Sequence, residues 1–89
     1  MSGIAGVVEL DGAMADGSRI EAMLHTMQRR GPDRMQAWVG GKAALAQALL
    51  ATTPEALAEP QPWMHPQSGC VVVSDSRLDN RPQLAQALA

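Results

Sequence analysis

Apolar and polar positions alternate in short blocks along this chain, and each block predicts one element of secondary structure. The first block, GIAGVVEL at 3–10, is almost wholly apolar, which is typical of a strand covered on both faces. A second block places apolar residues at helical spacing, and it predicts a helix over 19–30 with one buried face made of Ile20, Met23, Leu24 and Met27.

Capping residues predict where this helix begins and ends. Ser18 and Glu21 form the S-x-x-E pattern that starts many helices. Gly31 stands where a C-terminal cap belongs, and Pro32 cannot continue a helix. We therefore expect the chain to leave the helix at the sequence RRGPD.

The middle of the chain predicts a hairpin followed by a loop. MQAWV at 35–39 and KAALAQALLA at 42–51 flank a Gly40-Gly41 turn. Propensity alone would favour a helix for the Ala- and Leu-rich second segment, but the hairpin context favours a strand. Residues 52–66 are rich in proline and predict a loop, with one helical turn after Thr53-Pro54.

The last third predicts a strand and a second helix. GCVVVSDSRL at 69–78 has the highest β-branched content, and Cys70 within it is expected to be a buried structural thiol. Asn80 and Gln83 form a cap pattern that opens a helix over 81–89. The order strand, helix, hairpin, strand, helix predicts an α+β, or layered α/β, fold with helices on one face of three or four strands.

The length and composition of the chain predict a small domain of low stability. With 89 residues, 46% hydrophobic, two Trp and neither Phe nor Tyr, the chain buries little surface per residue. An oligomer or a covering partner is therefore expected. The final helix has no stop signal, so residue 89 is expected to be a cut within a longer fold.

Charge and cysteine usage exclude several classes of function. A net charge of −2 without a basic block argues against nucleic-acid binding. A single cysteine allows no internal disulfide and favours the cytoplasm, and the sequence leads us to expect neither a secretory signal nor a membrane span. His25 and His65 have no neighbours at ligand spacing, so no metal site is expected.

Five stretches, in order, resemble the front of the class II glutamine amidotransferase domain of asparagine synthetase-like proteins. They are GIAGVVELDG (3–12), RRGPD (29–33), LAQALL (45–50), QPW (61–63) and DSRLDN (75–80). The resemblance implies the first part of an N-terminal-nucleophile (Ntn) hydrolase α/β/β/α sandwich, incomplete at this length. It also implies a downstream ATP-pyrophosphatase domain using ATP and Mg²⁺, which is not among these residues; no cofactor is expected for 1–89 itself.

In active members the resemblance implies a cysteine at residue 2, freed by removal of Met1, whose own α-amine acts as the base. An arginine holds the glutamine carboxylate, and an Asn-Gly pair donates to the oxyanion. This chain has Ser2, Leu49 and Asp75-Ser76 at those positions. The framework of the motif is retained, in Arg30, Gly31, Pro32, Asp33 and Asn80.

The sequence therefore predicts a catalytically silent glutaminase-like domain in which Ser2 occupies a vestigial nucleophile position. The parent enzyme resembles an ATP-dependent amide-bond ligase, with the lasso-peptide macrolactam synthetases as the most similar branch. The expected partners are the rest of such a synthetase, a lasso-pathway protease or a leader-binding protein. Two alternatives stay open: a standalone interaction module that forms a dimer, and an amide hydrolase that uses Ser2 as its nucleophile.

Overall fold

A three-stranded antiparallel sheet is the main element of the computed structural model, which describes residues 2–76 and 79–89. The strands are β1 (Gly3–Val8), β2 (Arg34–Gly40) and β3 (Ala43–Leu49), and β3 lies in the middle. The predicted hairpin and the strand at β3 are confirmed, since β3 pairs on both sides. Its turn lies one residue later than predicted, at Gly41, whose φ of 57° suits glycine.

One helix, α1 (Gly17–Thr26), covers one face of this sheet and confirms the predicted apolar stripe. Its Ile20 side chain is fully buried. The small side chains of β3 let the helix approach the sheet closely, and the buried core consists of Ile20, Leu24, Ala44, Ala46 and Ala48, with Met23 and Met27 packed against it.

Both predicted caps of α1 are wrong. Asp16 is the N-cap, because its carboxylate accepts from the Ser18 amide at 2.9 Å and from the Ser18 hydroxyl at 2.7 Å. These bonds hold the pKa of Asp16 below its usual range. The helix ends with Met27 as its C-cap, and Gly31 lies beyond it without a positive φ.

The other face of β1 is open, so the prediction of a strand covered on both faces is wrong. Ile4 is 47% exposed and Val8 63% exposed. Both point away from α1, because they alternate with the half-buried Ala5 and Val7 that pack on the helix. β1 is an edge strand with a helix on one side only.

Four short elements complete the fold: α2 (Pro54–Ala58), β4 (Trp63–Met64), β5 (Val71–Val72) and α3 (Arg81–Leu88). The helical turn after Thr53 and the last helix are confirmed. The long strand predicted over 69–78 is wrong for the described part, since only β5 pairs, and only with the unpredicted β4. Residues 77 and 78 of that prediction lie outside the described residues. Without burial in a larger sheet, Cys70 is exposed, which corrects the prediction of a buried thiol.

The predicted α+β class is confirmed: one helix layer lies on one antiparallel sheet, with a small hairpin and two further helices beside it. Within the described part of the chain, no helix has the length and apolar character needed to span a membrane.

Candidate functional site around Ser2

Ser2 lies at the entrance to β1 and is 8% exposed, although it is polar. Its hydroxyl oxygen accepts a hydrogen bond from the Leu50 amide at 2.9 Å and is 3.4 Å from the Leu50 carbonyl, to which it donates. The hydroxyl thus ties the start of β1 to the residue that follows β3. Within the described residues, the hydroxyl bonds to backbone groups of Leu50 and not to a side-chain base.

A cavity of about 110 Å³ opens beside Ser2 and brings together residues far apart in the chain. Leu49, Asp75 and Ser76 line it with Ser2, so the four positions singled out by the sequence share one site. The described residues that line the cavity are Ser2, Gln47, Leu49, Leu50, Thr52, Ala56, Glu59, Gln61, Ser74, Asp75 and Ser76.

The lining of the Ser2 cavity includes two carboxyl side chains and, among the described residues, neither Arg nor Lys. One carboxyl group belongs to Glu59, which Arg81 holds from the outer side at 2.7 and 3.1 Å. This pairing lowers the pKa of Glu59. The other carboxyl group belongs to Asp75. The described wall of the cavity therefore has no positive charge that could bind an anionic ligand.

The RGPD motif supports the end of β3 and does not line the cavity. Gly31 is buried directly against the backbone of Ala48 and Leu49, where an added Cβ would overlap main-chain atoms. The Asp33 amide donates to the Leu49 carbonyl at 2.9 Å, and its carboxylate accepts from the Ala51 amide at 2.8 Å. Together with the bonds of Ser2, they fix three consecutive residues, the last residue of β3 and the two that follow it.

The other framework residues lie outside the cavity. Arg30 and Pro32 are exposed in the turn after α1. Asn80 is the N-cap of α3, but its side chain makes no capping bond, and only its carbonyl accepts, from the Leu84 amide at 3.0 Å. The cap pattern predicted at Asn80 is therefore correct in position and wrong in its hydrogen bond.

Two glutamines that the sequence analysis did not assign to the site shape the cavity, although Gln61 opens the quoted QPW stretch. The Gln61 side chain accepts from the Ser74 amide at 2.7 Å, and the buried Gln47 side chain donates to the Ser74 carbonyl at 3.3 Å. They fix the backbone immediately before Asp75. The signal for Gln47 was present, since it is the one amide side chain within the apolar pattern of β3.

The described residues contain no group of three or more His, Cys, Asp or Glu side chains placed to hold a metal ion. The profile of one family, described as a glutamine amidotransferase domain, matches residues 1–89. No curated protein and no solved structure matches the chain.

Proposed function

Because the chain belongs to the glutamine amidotransferase domain family, we propose that it is a glutaminase-like domain that no longer hydrolyses glutamine. One observation carries this proposal: the Ser2 hydroxyl is bonded to the Leu50 backbone in a cavity whose described lining offers no cation. The family scaffold is kept, while the groups that would bind and activate glutamine are replaced.

Amide hydrolysis needs an activated nucleophile, a substrate anchor and donors for the oxyanion. Ser2 is engaged with the Leu50 backbone, which stabilises the fold and leaves the hydroxyl poorly placed to attack. Leu49 supplies no donor for a substrate carboxylate. Asp75 places an acceptor where negative charge would develop, and losing one oxyanion donor alone costs roughly 2.7–4 kcal/mol in a studied protease.

We further propose that residues 1–89 are the partial amidotransferase domain of an asparagine synthetase-like ligase, most similar to lasso-peptide macrolactam synthetases. In such an enzyme the amine is already part of the substrate, so ammonia from glutamine is not needed. The ATP and Mg²⁺ of that reaction do not fit the residues present here. The glycines with positive φ, Gly12, Gly41 and Gly69, lie singly at turns and form no phosphate-binding loop.

The domain would then act as a scaffold or a partner surface. The open sheet face, with Ile4 and Val8 exposed, supports contact with the rest of the synthetase, a lasso-pathway protease or a leader-binding protein. The same face favours the alternative of a standalone dimer-forming module. Sedimentation of the isolated chain separates these two readings, because only the second requires self-association.

The proposal predicts no ammonia release above background from glutamine, either by the natural chain or by the Ser2→Cys variant. Cysteine restores a better nucleophile, but Leu49 and Asp75 still leave the substrate without an anchor and an oxyanion site. Removal of Met1 is verified by mass spectrometry, and circular dichroism verifies that each protein is folded. Release by the natural chain that disappears in Ser2→Ala would establish the amide-hydrolase alternative, and release by Ser2→Cys alone would show an intact pocket.

A further inference from the structure

We propose that Asp11 is a site of spontaneous backbone modification, where the aspartyl residue is converted to isoaspartate, and that the fold protects the chemically identical Asp16. The chain contains two Asp-Gly dipeptides, Asp11-Gly12 and Asp16-Gly17, and both lie between the end of β1 and the first residue of α1. This inference goes beyond the proposed function, because it concerns a loop and involves no glutamine chemistry.

The reaction closes a five-membered ring within the dipeptide. The backbone nitrogen of Gly12, which no side chain shields, attacks the side-chain carboxyl carbon of Asp11. A C–N bond forms, a C–O bond breaks, and the carboxyl hydroxyl leaves with the amide proton as water. Water then adds at the main-chain carbonyl of this succinimide and breaks the original peptide C–N bond. The main chain now runs through the former side chain, and the sum is an isomerisation that needs only water.

The loop leaves the first dipeptide room for this ring closure. Asp11 and Gly12 are both exposed. Gly12 has a φ of 87°, and no described atom outside its chain neighbours lies within 4 Å of the position of an added Cβ. The Asp11 carboxylate accepts from the Ala13 amide at 3.0 Å, in an exposed bond that water can replace. The carboxyl group and the following nitrogen can therefore approach each other without breaking buried structure.

The two ends of this loop are fixed to the β2–β3 turn. The Glu9 amide donates to the Lys42 carbonyl at 2.8 Å, and the Ala15 amide donates to the Gly41 carbonyl at 2.8 Å. Residues 10–14 between these bonds are all exposed. An extra main-chain atom is therefore accommodated within the exposed loop, and the modified chain is expected to stay folded.

The second dipeptide is held in place by the start of α1. The Asp16 carboxylate accepts from the Ser18 amide at 2.9 Å and from the Ser18 hydroxyl at 2.7 Å. Gly17 is the half-buried first residue of the helix, and the Asp16 carbonyl accepts from the Arg19 amide at 3.1 Å. Ring closure would break this cap. The bonds from Ser18 also hold the pKa of Asp16 below its usual range, which disfavours the protonated carboxyl group from which water leaves.

The test is ageing of the full chain at pH 6 and 37 °C, in buffer and in guanidinium chloride. Electron-transfer fragmentation of the digested protein distinguishes isoaspartate from aspartate, which have the same mass. In buffer we expect isoaspartate to accumulate at residue 11 and to stay at its starting level at residue 16. In the denaturant, where the helix cap is lost, we expect it to accumulate at both residues.

Asp11→Glu is the matched control variant. It keeps the negative charge and the exposed position, but its ring would need six members, so we expect the product at residue 11 to be lost. Equal accumulation at residues 11 and 16 in buffer would overturn the proposal. Accumulation at residue 11 in the denaturant alone would overturn it as well, because the folded loop would then be protected.

Amide chemical shifts of the aged chain locate the structural effect of the modification. Ser2 lies at the opposite end of the six-residue strand β1, about 20 Å from the loop. We therefore expect shifts to change at residues 10–14 and to stay constant at the Leu50 amide, which bonds to Ser2. A change at Leu50 would contradict the confinement of the modification to the loop.

Discussion

Replacing Gly31 by alanine is expected to lower the free energy of unfolding by about 3 kcal/mol, the upper end of the usual cost of overpacking. A Cβ at this position would overlap the carbonyl carbon and oxygen of Ala48 and the amide nitrogen of Leu49. These atoms belong to the central strand, which is paired on both sides and cannot yield. The turn after α1 would have to move away from the sheet.

Gly17→Ala is the matched control for this substitution. Gly17 is the first residue of α1, and its added Cβ would meet only a Val39 methyl at an ordinary 3.7 Å. We expect this variant to be more stable by about 0.4–1 kcal/mol, because alanine restricts the unfolded chain. Urea unfolding of both variants measures the difference. Equal stabilities would show that the RGPD turn does not pack on β3 as described.

Replacing Ile20 by alanine is the second large effect, with an expected loss of about 2–5 kcal/mol. Ile20 is fully buried between α1 and the alanines of β3, so truncation leaves a cavity that these small side chains cannot fill. Since a domain of this kind has a total stability of roughly 5–15 kcal/mol, this loss is a large fraction of the free energy of unfolding.

Ile4→Ala provides the comparison with the same change of side chain. Ile4 is 47% exposed on the open face of β1, so its truncation is expected to cost less than about 1 kcal/mol. Thermal unfolding followed by circular dichroism measures both variants. A cost at Ile4 as large as that at Ile20 would mean that the open face is covered in solution, as the dimer alternative requires.

The sequence predicted the elements whose signal is periodic and local. The spacing of Ile20, Met23, Leu24 and Met27 identified the buried face of α1, because tertiary packing uses that same stripe. The glycines around residue 41 predicted the hairpin, which overrode the helical propensity of β3. The α1 caps were not predictable in the same way, since Asp16 and Ser18 are both good N-caps and three-dimensional contacts choose between them.

The elements that depend on distant partners could not be predicted. The valines near Cys70 suggested a long strand, but a strand extends only as far as its neighbour, and β4 offers two residues. The role of Gly31 could likewise be predicted only with the position of β3 known. The glycine allows the turn after α1 to approach the backbone of β3 closely, and it does not cap the helix.

The sequence predicted which residues share the site better than it predicted the hydrogen bonds that they make. Resemblance to the family placed Ser2, Leu49, Asp75 and Ser76 together, and the structure does bring them to one cavity. The bonds from Ser2 to Leu50 and from the two glutamines to Ser74 join residues more than ten positions apart, which no local pattern encodes.

The most direct test of the lost substrate site is a titration of the isotopically labelled chain with L-glutamine, in which NMR monitors the amide chemical shifts. A cavity of about 110 Å³ whose described lining includes no Arg or Lys predicts no saturable shifts at Ser2, Leu50 or Ser74. Glycine and glutarate, titrated in parallel, control for ionic and osmotic effects. Saturable shifts at these amides with glutamine alone would contradict the claim that this amidotransferase domain has lost its substrate site.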